Sequence, residues 1–271
     1  MIHKLSQWAN SPLSFDGAIV GCAQNHEWLL PWWWMHFCVH NTLPVAFVDF
    51  GDLSDKAKAW CAKRGKLLAL QPIEQFITPR DRVDSAIARE WESDAQLDPW
   101  KARAEWFKKP LACLQSPFRR AIWIDLDCQV RKPLEPLYEW CENEYSIALA
   151  EEPPSIREQH AQRGLIAEGQ MEYNSGVVVF KHGADIIRQW VQHCLENNSA
   201  IRGDQEALSH LAHIQGFKLP LIPPIYNWRG NMGISRYDFE AVAIIHWLGI
   251  YKKLIKDQMH ILSNMGVDLT L

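Results

Sequence analysis

Two carboxylates spaced two residues apart, Asp125 and Asp127, follow the uninterrupted apolar run Ala121–Ile124. Such a run, bounded by charge, reads as a strand buried on both faces of a parallel sheet. Ligands collect at the carboxyl ends of these strands. Residues two apart on a strand project to the same side, so both carboxylates would aim into the space beyond the strand end. There they repel each other unless a cation lies between them. Hard oxygen ligands favour Mg²⁺ or Mn²⁺, held by one or two carboxylates together with phosphate oxygens. The alternative is an Asp pair that ends the strand and turns the chain.

The elements needed to present this pair follow from the hydropathy pattern. Gly17–Gln24, Pro44–Phe50 and Leu67–Leu70 read as strands, and Glu27–His40 and Ser54–Arg64 as intervening helices. Ser54 is the expected N-cap of the second helix and Gly65 its C-terminal stop. Alternation of strand and helix implies a sheet of parallel strands with helices on its faces. Arg80–Arg103 reads as a charged, surface-lying helical stretch, and Trp106–Gln115 as a lead into the Asp-bearing strand. Tyr145–Ala150, Tyr173–Phe180 and Val242–Trp247 are further strands, and Asp185–Glu196 and Gly203–His213 further helices. Glu151–Gln170, with two prolines and two glycines, reads as a long irregular loop over the site. No repeat or linker divides the 271 residues, so a single domain is expected.

Composition excludes several classes. A net charge of −4 with no basic bias argues against nucleic-acid binding. Seven cysteines, odd in number and without Cys-x-x-Cys pairs, argue against a disulfide framework or a zinc site and suit a reducing, cytoplasmic setting. The N-terminus has no apolar leader core, and no apolar run reaches the length of a membrane span. Trp28–Val39 contains three consecutive tryptophans, Trp32–Trp34, which cannot all face one core. A buried helix is the main reading there. Peripheral contact with the inner face of a membrane is the alternative.

The Asp-x-Asp strand resembles the metal motif of GT-A fold glycosyltransferases, and three later segments fall in the order seen in glycosyltransferase family 8. Tyr173-Asn174-Ser175-Gly176 resembles the family's Asn-x-Gly strand, and Gly203-Asp204-Gln205 its Asp-Gln pair. The run from His246 through Gly249 to Lys252 fits its His-x-x-Gly-x-x-Lys motif. The resemblance covers most of the chain. It implies an α/β, GT-A (Rossmann-like) nucleotide-diphospho-sugar transferase fold, with a mostly parallel central sheet and helices on both faces. Residues 1–130 would form the nucleotide-sugar half and 131–271 the acceptor and catalytic half.

By the same resemblance the chain moves a hexose, with retention, from a nucleoside diphosphate sugar to a glycan or lipid-linked hydroxyl. A UDP-hexose is the expected donor. Mn²⁺ (or Mg²⁺) would be held by Asp125, Asp127 and His246; a neutral imidazole ending an apolar strand suits that role, and a strand-end His bonded to backbone is its alternative. Donor contacts would come from Ala23, Gln24, Asn25, Lys109, Asp125, Leu126, Gly249 and Lys252. Gly249 lets the backbone approach a diphosphate, and Lys252 places positive charge where the departing phosphate gathers negative charge. The alternative for Lys252 is a solvated residue of a basic tail, with Lys253 as a rival. Catalytic positions would be Asn174, Asp204, Gln205 and Lys252; helix capping by Asp204 is the competing reading. No obligate protein partner is implied.

One departure concerns the base. The family's acidic residues and Tyr after the first strand are replaced by Ala23-Gln24-Asn25-His26, so the usual uridine contacts are altered. Two other classes are compatible with parts of the sequence. A haloacid-dehalogenase-type phosphohydrolase also places Asp-x-Asp after an apolar strand, but near the N-terminus, and with Thr or Val where this chain has Gln129. The other is a non-catalytic carbohydrate-binding protein on a transferase scaffold.

Overall fold

A computed structural model of the chain describes residues 13–71, 77–93, 98–163, 165–229 and 236–271. Residues 1–12, read above for a leader, lie outside these, as do 94–97 of the charged helical stretch and Gly164 of the expected loop. In chain order the described elements are β1 (Gly17–Cys22), α1 (Leu30–His40), β2 (Val45–Asp49), α2 (Asp55–Ala62), β3 (Lys66–Ala69), α3 (Ser85–Glu92), α4 (Pro99–Trp106), α5 (Lys108–Leu114), β4 (Arg120–Ile124), β5 (Cys128–Val130), β6 (Ile147–Glu151), α6 (Pro154–Gln162), β7 (Tyr173–Lys181), α7 (Asp185–Asn197), α8 (Asp204–Gln215), α9 (Arg236–Ala241), β8 (Ile244–His246) and α10 (Lys252–Asn264).

Six strands form one sheet in the order β3-β2-β1-β4-β7-β6. β3, β2, β1 and β4 pair in parallel, while β7 runs antiparallel to both β4 and β6. The inner strands are near-continuous apolar runs because both faces are covered. Alternate residues point to opposite cores: Ile19, Val48, Trp123 and Val178 to one side, Val20, Phe47, Ile122 and Val179 to the other. Residues of α5, α7 and α8 fill the first core and those of α1, α2 and α10 the second. β5 and β8 form a separate antiparallel ribbon that pairs Cys128 with His246.

Local chemistry explains where elements begin and where the sequence misled. Ser54 caps α2 as expected, its hydroxyl accepting from the Ala57 N–H at 3.2 Å. α2 nevertheless ends at Ala62, short of Gly65. Trp106–Gln115, which leads into β4, is helical over α5; Pro110 falls in its first turn, where no N–H is missed. Glu151–Gln170 is not one irregular loop. It contains α6, which starts at Pro154, a favoured first helical residue. α6 buries no residue, so it has no apolar stripe for periodicity to reveal.

Trp32 and Trp33 are wholly buried. Trp34 is half-buried against Phe37, Phe47 and Trp60. The three indoles therefore pack inward and offer no exposed aromatic patch. Among the described residues no helix is long and apolar enough to cross a membrane.

Candidate functional site

β4 stops at Ile124, and the Asp125 N–H still donates to the Gly176 carbonyl of β7 at 2.9 Å. The Cys128 N–H then donates to the Asp125 carbonyl at 3.0 Å, closing a turn over Leu126 and Asp127. The two carboxylates are thus brought together by this turn, not by a strand pleat as the spacing suggested. The ribbon of β5 and β8 delivers His246 to the same point. Its Nε2 lies 3.2 Å from Asp127 Oδ1 and 3.9 Å from Asp125 Oδ2. Asp127 and His246 are buried.

Lysines flank both carboxylates. Lys109 Nζ lies 3.1 Å from Asp125, 3.5 Å from Asp204 Oδ2 and 3.0 Å from Ser175 Oγ. Burial alone would lower its pKa, but Asp125 and Asp204 outweigh burial and hold it above the ordinary lysine value. Burial raises the Asp204 pKa, opposed by Lys109 and by the Ser175 hydroxyl, which donates to it at 2.7 Å. Lys252 Nζ lies 3.0 Å from Asp127 Oδ2. That pairing raises Lys252 and depresses Asp127 against the opposing effect of burial.

The chemistry of this donor set fits a cation. His246 Nε2 is buried and makes no hydrogen bond. Its Nδ1 faces Asn227 Oδ1 at 2.9 Å, so the ring proton is placed on Nδ1 and the Nε2 lone pair faces a carboxylate. Two electron-rich atoms 3.2 Å apart repel unless a positive centre joins them. Cys128, which the sequence did not single out, completes a cluster with Asp127 and His246 whose ligand atoms lie within 4.8 Å of one another. Burial pushes the Cys128 thiol well above its ordinary pKa.

Asp125 and Asp127 border a cleft of about 260 Å³. Gly249, Lys252, Lys109, Leu126 and Ala23 line it, with His26, Phe50, Glu105 and Trp106 also contributing. Gly249 has a φ of +55°, a left-handed conformation that glycine adopts without strain. Gln24 and Asn25 are exposed and do not line the cleft. Asn25 instead donates to Glu105 at 2.7 Å, and His26 Nδ1 meets the same carboxylate at 2.8 Å. Glu105, eighty positions from Asn25, had no sequence signal.

A second cavity of about 210 Å³ adjoins the first; Leu248 lines both, and Glu152, Ile156, His160, Arg229 and His246 line the second. Glu152 belongs to a buried amide network. Asn174 Nδ2 donates to Glu152 Oε1 at 2.8 Å and Gln205 Oε1 at 3.0 Å. Its Oδ1 accepts from the Gly176 N–H at 3.0 Å and Asn227 Nδ2 at 2.7 Å. Four bonds are the full capacity of a primary amide. Gln205 Nε2 donates to Glu152 Oε1 at 2.8 Å, and Arg229 Nη1 pairs with Glu152 Oε2. Asp204 is the first residue of its helix, after the N-cap Gly203, and its carboxylate meets Lys109 and the Ser175 hydroxyl. Glu152 and Asn227 were not read from the sequence as site residues; both sit in Pro-flanked stretches without periodicity.

Residues 73–253, more than half of the chain, match the sequence profile of glycosyl transferase family 8. Among solved structures, galactosyltransferase LgtC in complex with donor and acceptor sugar analogs is 14% identical, with 90% of this chain and 96% of that one covered and a TM-score of 0.53. An active-site mutant of LgtC, 14% identical, gives 0.56 over 87% of this chain and 88% of that one. Mouse xyloside xylosyltransferase 1 in its apo form is 15% identical, with 86% and 97% covered and a TM-score of 0.53. A search of curated proteins found no match. The structural likenesses establish the GT-A glycosyltransferase fold, and the profile match, with the geometry above, places the chain in glycosyl transferase family 8 as a glycosyltransferase.

Proposed function

We propose that the chain is a metal-dependent hexosyltransferase that moves a sugar, with retention, from a nucleoside diphosphate donor, a UDP-hexose first among them, to a hydroxyl of a glycan or lipid-linked acceptor. The observation that carries this reading is the buried, unbonded His246 Nε2 facing Asp127 and Asp125. These three residues would hold Mn²⁺ (or Mg²⁺). When bound, the cation neutralises the two phosphates as the bond to the sugar breaks.

Lys252, already on Asp127, swings its ammonium a short way to share charge with the diphosphate. Gly249 presents backbone to the same group. Ala23, Leu126 and Lys109 shape the donor cleft, which residues 1–130 form together with Gly249 and Lys252 of the second half. Gln24 and Asn25 approach the base from the exposed side, Asn25 held by Glu105. Lys109 keeps Asp125 and Asp204 at fixed separation. Asp204 and Gln205 face the transferred sugar, while Asn174 spends its polar capacity holding Gln205 and Glu152 in place. The acceptor would enter the second cavity, against Glu152, His160 and Arg229. Its hydroxyl attacks the anomeric carbon on the face the diphosphate leaves, and its proton passes to a diphosphate oxygen.

The test is a donor panel of UDP-, GDP- and ADP-hexoses with Mn²⁺, read as release of free nucleoside diphosphate. One nucleotide class should be hydrolysed slowly without acceptor, and chelation with EDTA should abolish the release. Release that persists in EDTA, or none from any donor, contradicts the reading.

A further inference from the structure

We infer that Asn227 is a positioning residue: it holds His246 as the tautomer protonated on Nδ1 and thereby aims the Nε2 lone pair at the two carboxylates. The tautomer is fixed by backbone, through a relay of two amides. A main-chain N–H can only donate. That of Gly176 donates to one polar atom of the Asn174 amide at 3.0 Å, so that atom is the oxygen. Asn227 meets the same oxygen at 2.7 Å and must present its NH₂ there. The other end of Asn227, its carbonyl oxygen, then faces His246 Nδ1 at 2.9 Å. An oxygen acceptor at that distance requires the proton on Nδ1.

Position is secured as firmly as polarity. Asn227 is fully buried, and the backbone beside it is tied to the strand that carries His246. The Trp228 N–H donates to the Ile244 carbonyl at 3.0 Å, and the His246 N–H to the Trp228 carbonyl at 2.8 Å. On the opposite side the imidazole rests on Gly176, where an added Cβ would lie 2.1 Å from His246 Cε1 and 2.5 Å from Nδ1. The ring cannot turn to exchange its nitrogens without breaking this seat. Metal-bound histidines usually give their second N–H to a carboxylate or a backbone carbonyl. Here a side-chain amide takes that place, and it also joins the imidazole to the Asn174–Gln205–Glu152 network.

The role of His246 as a ligand rests on the function proposed above; its tautomer does not, and the test separates the two. Long-range ¹H–¹⁵N correlation spectra of the metal-free, ¹⁵N-labelled full chain report which imidazole nitrogen bears the proton, with the His246 signals assigned by their loss in His246→Gln. The expected result is a proton on Nδ1. An Nδ1 without a proton overturns the inference. Mn²⁺ alone is then titrated by the electron-spin resonance of the free ion. Asn227→Leu, near in shape but without an acceptor, should weaken Mn²⁺ binding about 10- to 100-fold, and Asn227→Gln, which keeps both the acceptor for Nδ1 and the NH₂ for Asn174, should restore part of it. Equal loss in both variants, or none in Asn227→Leu, overturns the positioning role. A native chain that shows the Nδ1–H tautomer yet binds no Mn²⁺ upholds the tautomer and overturns the metal reading instead.

Discussion

Gly176 illustrates how little room the site leaves at the residue scale. Its missing side chain is the floor on which the His246 ring rests, which gives the Asn-x-Gly pattern a steric cause. Gly176→Ala should push the imidazole away from Asp127. Mn²⁺ affinity should fall at least tenfold, comparable with loss of a supporting residue, and stability by about 1–3 kcal/mol, the usual cost of overpacking. Titration with Mn²⁺ and urea unfolding check the two effects, and unchanged Mn²⁺ affinity would show that the ring has another way to seat. Lys109 is a second test. It is buried between Asp125 and Asp204, so Lys109→Met leaves two carboxylates without their shared partner and should cost about 3–5 kcal/mol. Urea unfolding at neutral pH measures this, and native-like stability would mean that water or another cation replaces the ammonium. Asp125 and Asp127 stand out in the sequence because they follow an apolar run, whereas His246, Gly249 and Lys252 are carried by the resemblance to the family's His-x-x-Gly-x-x-Lys motif. Asn227, Glu152 and Glu105 were not legible there. Their roles arise from contacts between distant segments, and an isolated Asn or Glu in a loop or a charged helix carries no pattern.

Elements with an apolar face were read well, and those without one were misread. The inner strands and α7, which buries Ile186, Ile187, Trp190 and Val191, announce themselves through burial. α6 buries nothing and passed for a loop. α5 was hidden by Pro110, whose place in the first turn is harmless. The tryptophan run forms the buried helix that was the main reading, with Trp34 leaning sideways onto Phe47 and Trp60. α6 is also where pH should act. Its His160 meets the buried Glu172 at 2.9 Å, and that hydrogen bond raises the imidazole pKa above the ordinary value. A raised folded-state pKa stabilises fully below the unfolded value, about 6.5, and the contribution is lost as pH rises through the folded value. Amide exchange in Pro154–Gln162, corrected for intrinsic rates, should therefore quicken as pH rises above about 6.5 in the native chain but not in His160→Gln. Identical pH profiles would contradict the pairing.

At the scale of the whole molecule, the sheet, its two cores and the β5–β8 ribbon converge on one point, where two cavities share Leu248. Membership of glycosyl transferase family 8 and the GT-A fold displace the phosphohydrolase alternative that the bare Asp-x-Asp left open. The fold class was legible from alternating strands and helices. The order of the later motifs carried the family, but the reversal of β7 and the separate ribbon were not foreseen, because strand direction depends on crossovers that local patterns do not encode. The altered residues after β1 and the presence of Glu105 in the cleft leave the base to experiment. The most direct measurement is isothermal titration of the purified chain with UDP and with GDP, each with and without Mn²⁺, repeated on Asp127→Ala. The account predicts tight binding of one nucleotide, UDP first, that needs Mn²⁺ and is lost in the variant. Binding of neither nucleotide by the folded protein with Mn²⁺ present, or binding indifferent to Mn²⁺ and to Asp127, would contradict it.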